Sequence, residues 1–574
     1  MKISLFSWLF FLPICSIFPS FCIFVVSGQC LEGQKSLLLQ FKKGLKYNNN
    51  SSTKLVRWDE RVDCCLWDGV NCSGGRVIGL NLFNESITGG LQNSSLFRLQ
   101  YLENLNLAYN KLNSSQIPSQ FDELTNLSYL NLSYAGFAGQ IPIAISNLTR
   151  LVTLDLSTLS FLSVSMLKLE DPNLAKLVHN LSEIKELYLD GVNISASGNE
   201  WCQALSSSLP NLSVLSMSNC CLLGPLHSSL QKLQSLSVIL LDNNNFSASV
   251  PEFFSDFRNL TSLRLSSCKL NGKFPDKIFQ VPTLKTLDLS SNEQLSGTLL
   301  EFHPNNSLRS LVLSSTIFSG TLPVSIGKLT MLSRLDLSNC NFSGSIPKSI
   351  ANLTQLVYLG MSYNKFNGQI PLFSMAKNLT QINLSGNYLV GRINSTQWEE
   401  LTKLVNLDLG NNSIVGSIPM SLFSHPSLQK LKLSNNKFSG GLREFNGSSY
   451  PLETLDLSSN NLEGPFPMSV INLPGIKSLS FSYNKFNGSF QLDAIQQLRN
   501  LSSLDLSYNK MSVKYSGTAS SLPFPQFSTF KLASCNLSTF PDFLKNQSKL
   551  IILDLSKNQI HGEIPNWIWE VKSL

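Results

Sequence analysis

Leu332 to Pro347 reads LSRLDLSNCNFSGSIP, and Leu356 to Pro371 reads LVYLGMSYNKFNGQIP. Leu404 to Pro419 (LVNLDLGNNSIVGSIP) and Leu452 to Pro467 (LETLDLSSNNLEGPFP) keep the same frame, LxxLxLxxNxLxGxIP. The frame returns about every 24 residues, a period that marks a solenoid in which each copy covers the apolar face of the next. The paired leucines, such as Leu335 and Leu337, alternate with polar residues, which gives a short strand with one buried face. Stacked copies build a parallel sheet on the concave side, each strand roughly 4.8 Å from the next.

The Asn of the frame, at Asn364, Asn412, Asn436, Asn460, Asn484, Asn509 and Asn558, turns the chain inward. There its amide satisfies backbone groups that the turn would leave unpaired. Cys220, Cys268, Cys340 and Cys535 take the same slot, so they read as thiols of a structural ladder, not as nucleophiles or metal ligands. The following GxIP supplies a glycine turn and a proline that favours extended backbone. The period is that of leucine-rich repeats, and the GxIP half resembles their plant-specific class, whose solenoids are twisted superhelices.

Met1 to Gly28 places one lysine before a long apolar run, and Val26-Ser27-Gly28 suits cleavage before Gln29. This reads as a secretory signal peptide. An uncleaved anchor is the alternative, and Pro13 and Pro19 count against a stable spanning helix. Charged residues are 14% of the chain and the net charge is +7, with no basic stripe, which disfavours nucleic acid. Roughly two dozen Asn-x-Ser/Thr sequons occur, Asn84, Asn126, Asn147, Asn259, Asn352, Asn378 and Asn500 among them. With a signal peptide in front, heavy glycosylation is expected, although some sequons are built into the repeat itself.

Residues 29–76 break the repeat and read as a cap. Leu37, Leu38, Phe41 and Leu45 share one helical face, followed by WDERVDCCLWDGVNC from Trp58 to Cys72. A solenoid end exposes the apolar edge of its first repeat and needs such a cover. In an oxidising compartment Cys30, Cys64, Cys65 and Cys72 would staple it. Four cysteines allow three pairings, and sequence alone does not choose. Adjacent Cys64 and Cys65 are poorly placed to bond each other, which favours Cys30–Cys64 with Cys65–Cys72. A zinc site is the rival reading; secretion and the fit to a cap count against it.

Cys64-Cys65-x-Trp67-x-Gly69-Val70-x-Cys72, followed by RVIGLNL, resembles the amino-terminal cap of plant extracellular leucine-rich-repeat receptors. The WDERVDCCLWDGVNC wording and the later GNEWCQALSSSLPNLSVLSMSNC resemble receptor-like proteins of the Verticillium-wilt resistance type. The fold expected is an α/β solenoid: a plant-specific leucine-rich-repeat superhelix with a concave parallel β-sheet and a disulfide-stapled N-terminal cap, with about twenty repeats over residues 77–574. The resemblance further implies a cell-surface immune receptor that binds a peptide or protein ligand, possibly of pathogen origin, and signals through co-receptor kinases. It implies no cofactor and no nucleic acid, with passage through the secretory pathway to the extracellular face of the plasma membrane. Secreted inhibitors of pathogen cell-wall-degrading enzymes, and receptor kinases with the kinase missing from this chain, are alternatives of similar cap and repeat.

Two successive repeats, Leu154 to Leu187 and Leu187 to Leu215, are longer than the rest. Insertions in a solenoid are expected to loop out, here over residues 157–179 and 192–205, and to help contact a ligand. Cys202 is expected to pair with Cys221, or with Cys220, to pin the second loop. On the concave strands, Tyr188, Arg264, Arg309, Arg334, Tyr358, Lys430 and Lys432 are the candidate ligand contacts. The regular column Asp288, Asp336, Asp408, Asp456, Asp505 and Asp554 recurs too evenly to encode a partner. The five histidines, His179, His227, His303, His425 and His561, fall in different repeats, so no catalytic cluster forms and an enzyme is excluded. The chain stops at Leu574 where another strand would begin, so a longer receptor is expected, with membrane attachment only through a C-terminal region absent here.

Overall fold

The computed structural model describes residues 29–570 apart from 113–114, 159–166, 394–397, 446–450 and 518–522. The signal-peptide reading of residues 1–28 and the centre of the first expected loop lie outside the described residues. Each LxxLxL segment forms a three-residue strand, and successive strands pair in parallel without slip, so that Leu335 faces Leu311 and Leu359. Twenty-one strands make one ladder, from the antiparallel hairpin Val70–Ser73 with Arg76–Asn81 to Ile552–Asp554. Each end strand has a single neighbour among the described residues, so the sheet is open: a solenoid and not a barrel.

A second parallel sheet of eight strands runs from Ser319–Thr321 to Lys485–Asn487, built by the NxLxG segments. Its glycines take the left-handed backbone that the turn requires, as at Gly344 (φ 76°) and Gly416 (φ 91°). The proline that follows is extended, and a 3-10 turn starts at once behind it, as at Pro347 before Lys348–Asn352. Between the two sheets the leucines, and large rings such as Phe342 and Phe366, are fully buried.

The ladder slot holds this stack together. Asn436 donates through Nδ2 to the carbonyls of Leu409 (2.9 Å), Leu433 (3.2 Å) and Ser434 (3.2 Å), while its Oδ1 accepts from the Ile414 N–H (3.0 Å). Asn110, Asn244, Asn292 and Asn387 do the same in repeats whose slot the sequence reading passed over. The cysteines replace only the donor half: Cys268 Sγ donates to Leu241 O at 3.1 Å and Cys340 Sγ to Leu313 O at 3.1 Å. Having no Oδ1, Cys220 and Cys268 leave the Ile194 and Phe246 N–H groups to bond their own backbone carbonyls instead. Burial pushes the Cys268 and Cys535 thiols up to about 12, so they remain protonated donors.

The cap follows its sequence pattern. Helix α1 (Glu32–Gly44) buries Leu38 and Phe41, and Trp58 stacks on Trp67 with centroids 5.1 Å apart. Disulfides join Cys30 to Cys64 and Cys65 to Cys72 at Cα separations of 5.6 and 5.5 Å. The first repeat then departs from the frame, because its slot holds Glu85, fully buried. No repeat precedes it, and the cap offers donors where a repeat would offer carbonyls. The Glu85 carboxylate accepts from Ser52 Oγ (2.5 Å), Thr53 N and Oγ1 (3.0 and 2.9 Å), Lys54 N (3.0 Å) and Leu55 N (3.3 Å). An amide there would aim its NH2 at these donors, which explains the acid.

The two enlarged repeats correct an expectation. Beside the strand Glu186–Tyr188 stand two helices, α2 (Leu174–Val178) and α3 (Gly198–Ser208), packed on each other. Residues 192–205, expected as a loop, include most of α3, whose Trp201, Cys202 and Leu205 are fully buried. A Ser197–Glu200 capping box starts that helix. Cys202 and Cys221 are not bridged. The Cys202 thiol faces the core, where it accepts from the His227 N–H at 3.4 Å, whereas Cys221 is exposed on a left-handed residue (φ 56°).

Candidate functional site

Side chains of the strand residues other than the leucines line the concave face in straight columns, because the register never slips. The acidic column closes turns. Asp288 Oδ1 accepts from Ser290 N and Oγ at 3.0 and 2.7 Å, Asp456 does the same to Ser458, and Asp408 accepts from Gly410 N. Asn131 and Asn383 play the part equally well. The regular column is thus a local turn device, which accounts for its recurrence.

Where that column carries another residue, the position is open to other use, and at Ser266 and Ser218 the turn is closed by an Asp of the preceding repeat. Tyr188, Arg264, Gly360 and Lys432 are such positions. Beside Arg264, Asp242 from the preceding repeat bonds Ser266 N at 2.8 Å and also pairs with the Arg264 guanidinium at 2.9 Å. Burial raises the Asp242 pKa, against the pull of Ser266 and Arg264. Asp190 likewise bonds Ser218 N at 2.6 Å from the repeat before. The Tyr188 hydroxyl is pushed up to about 12 by burial, with Glu186 and Asp155 adding to the shift, and stays neutral.

Arg334 and Tyr358 are brought together, on adjacent strands. The Arg334 guanidinium pairs with Asp336 at 2.9 Å and lies over the Tyr358 ring at 4.1 Å. Gly360 makes room for this group: a Cβ there would stand 2.8 Å from Asp336 Oδ1 and 2.9 Å from the Tyr358 ring. The missing column residue at Gly360 was visible in LVYLGMSYN, as Glu85 was in LNLFNE; both are departures from a frame already known. Lys430 and Lys432 share one strand, between those of Asp408 and Asp456. Arg309 is exposed just before the strand Ser310–Val312, as Lys285 is just before the adjacent strand Thr286–Asp288.

The Leucine rich repeat N-terminal domain family matches residues 31–73, and the Leucine-rich repeat region family matches residues 278–542. Receptor-like protein 6 of Arabidopsis thaliana is 36% identical over 258 residues, 42% of this chain and 25% of that relative. Receptor-like protein EIX1 of Solanum lycopersicum is 34% identical over 226 residues, 33% of this chain and 21% of that one. The chain belongs to the plant leucine-rich-repeat receptor-like proteins. The matches span a quarter or less of these two relatives. In fold, this receptor-like protein superposes on the Arabidopsis receptor kinase HAESA, solved with the peptide hormone IDA and the co-receptor SERK1. The TM-score is 0.79 at 28% identity, over 94% of this chain and 92% of that one. The parts of its structural neighbours that it matches are leucine-rich-repeat receptor ectodomains, and this stretch of chain is not an enzyme.

Elsewhere on the receptor-like protein, aromatic residues near the ladder slot stack in the open. Phe83, Tyr109 and Tyr134 form one row with centroids 5.2 and 4.9 Å apart, and Tyr483 lies on Tyr508 at 4.4 Å. A groove of about 570 Å³ runs beside α2 and α3, lined by Asn173, Ala196 and Gln203. Of the sequon asparagines, Asn84, Asn147, Asn259, Asn352 and Asn500 are exposed and Asn126 and Asn378 half-buried. Asn126, Asn378 and Asn500 donate their amides to carbonyls of the preceding repeat, at Gln100, Thr354 and Pro474. No helix among the described residues is long and apolar enough to cross a membrane.

Proposed function

We propose that the chain is the extracellular ligand-recognition portion of a plant cell-surface immune receptor-like protein. It binds a pathogen-derived or endogenous peptide or protein on its concave face and signals through partner receptor kinases, held at the plasma membrane by a region beyond this chain. One observation carries this reading: among the concave positions that depart from the turn-closing Asp or Asn are Tyr188, Arg264 and Lys432, side chains suited to recognition. Arg334 and Tyr358, already ordered against each other, add a preorganised contact at low entropic cost. The groove at α2 and α3 supplies a second contact region on the enlarged repeats. Peptide hormone and co-receptor are seen with HAESA, and the similarity supports the same broad division of labour.

The test is co-immunoprecipitation of the native gene product from leaves before and after treatment with pathogen culture filtrates. Ligand-dependent association with a receptor kinase and an oxidative burst, both lost in an R264E/K432E variant that is still secreted, are the expected result. A secreted wild-type protein that recruits no kinase, and instead inhibits the cell-wall-degrading enzymes of the filtrate, would overturn it.

A further inference from the structure

Between the strands Thr153–Asp155 and Ser310–Val312 the concave face changes character along the solenoid axis. At the N-terminal end Asp155 and Glu186 stand on adjacent strands. Asp155 Oδ1 closes its own turn on the Ser157 N–H at 3.0 Å and Glu186 accepts from Thr153 Oγ1 at 3.3 Å, and both carboxylates keep their charge on this face. Half-buried Asp190, which accepts from Ser216 Oγ and Ser218 N, lies behind them, and with exposed Lys185 beside Glu186 the patch stays net negative. Val214 and Val238 come next, directly opposite each other, with Leu240 on the same strand as Val238. These are half-buried apolar side chains where neighbouring repeats carry Ser262, Thr286 and Ser310. Arg264 follows, neutralised by Asp242.

Beyond it, Lys285 and Arg309 are both exposed one residue before the neighbouring strands Thr286–Asp288 and Ser310–Val312, linked by an Arg309 N–H that donates to Lys285 O at 2.7 Å. Neither cation has a carboxylate partner within ion-pair distance among the described residues, and with the single carboxylate of Asp288, bonded to Ser290, between two cations the patch stays net positive. The surface therefore runs acidic, apolar, basic in that order.

Resting on the receptor reading above, we propose that this stretch takes an extended peptide laid across the strands. Its basic end sits over Asp155 and Glu186, an apolar side chain on Val214, Val238 and Leu240, and its acidic end on Lys285 and Arg309. Strands here are paired on both sides, so a ligand cannot join the sheet through its backbone and is read through side chains alone. Five strand spacings of roughly 4.8 Å separate Glu186 from the strand after Arg309, about 24 Å, which an extended chain at about 3.3 Å per residue crosses in about seven residues. Charge complementarity thus fixes both the direction and the length of the ligand.

The test uses the secreted full chain and three fluorescent heptapeptides with blocked termini, a leucine at the centre, read by anisotropy at low ionic strength. One carries two lysines at one end and two glutamates at the other; the second carries lysines at both ends; the third has serines in place of all charges. The bipolar peptide is expected to bind at least tenfold more tightly than either control. K285E/R309E is expected to invert the order, so that the peptide with lysines at both ends binds best, a gain that misfolding cannot produce. Equal binding of all three, or an order unchanged in K285E/R309E, would overturn the proposal. If the order is absent while leaf responses persist, the orientation fails and the receptor reading stands; if the order holds while no kinase is recruited, the receptor reading alone fails.

Discussion

The solenoid is made of two unlike halves. From Leu359 to Leu506 every ladder slot is Asn, and the NxLxG strands join into the second sheet. From Leu80 to Leu335 the slot changes from repeat to repeat: Glu85, Asn110, Ala135, Leu159, Val192, Cys220, Asn244, Cys268, Asn292, Thr316, Cys340. That half carries the enlarged repeats, the helices α2 and α3 and the acidic-to-basic sweep of the concave face. Uniform repeats give a stiff, interchangeable support. The varied repeats give up part of the hydrogen-bond ladder and hold most of the side chains suited to recognition.

The comparison can be broken most forcefully at the cap. E85A removes the acceptor of five hydrogen bonds in a fully buried site and should cost about 3–5 kcal/mol, read as a lower chemical-denaturation midpoint for the N-terminal repeats. Next come the slots themselves. N436A strips three carbonyls and one N–H of their partner and should cost about 2–3 kcal/mol. C268S, which keeps a donor toward Leu241 O and leaves the Phe246 N–H on its backbone acceptor, should stay within about 1 kcal/mol by the same measurement. Equal losses would mean that the varied half is as dependent on its slots as the uniform one.

A pH scan sharpens the contrast further. Burial pushes the Glu85 pKa up, but the bonds from Ser52, Lys54, Thr53 and Leu55 outweigh it and hold the group below its ordinary 4.5. A depressed folded-state pKa contributes stability that is present above 4.5 and lost as pH falls through the folded value, so the cap repeat should weaken in acid before the Asn repeats do. E85Q should remove that acid limb in a fluorescence scan of Trp58 and Trp67. The smallest effect expected is at the turn-closing column. D288N keeps the acceptor oxygen and should shift stability by less than about 0.5 kcal/mol, whereas D288A should cost about 1 kcal/mol.

Periodicity made the strands, their register and the Asn and Cys slots legible from residues alone, since a fixed frame over many copies admits one stacking. The improbability of an adjacent pair removes one of the three cap pairings; the preferred one of the remaining two, Cys30–Cys64 with Cys65–Cys72, is the one the structure has. What escaped were the places where a long-range neighbour decides. Glu85 is intelligible only once the cap donors are seen beside it, and Cys202 only once α3 is known to turn that side chain inward. Arg334 stands in the sequence as a candidate ligand contact, and nothing there shows that Asp336 and Tyr358 hold it in place, with Gly360 clearing the space. Sequence spacing locates such residues but does not say which partner reaches them.

The donor and acceptor halves of the Asn slot also bear on how such a gene can change. An Asn repeat presents to its predecessor the same oxygen, and to the carbonyls behind it the same amide, as every other Asn repeat. Unequal crossing-over that deletes or duplicates one of these units restores an equivalent junction. A unit with Cys220 or Cys268 meets a predecessor whose N–H has been redirected to a carbonyl, so transplanting it breaks a matched pair of neighbours. Copy number is therefore expected to drift in the C-terminal half among alleles, while the order of the N-terminal repeats stays fixed.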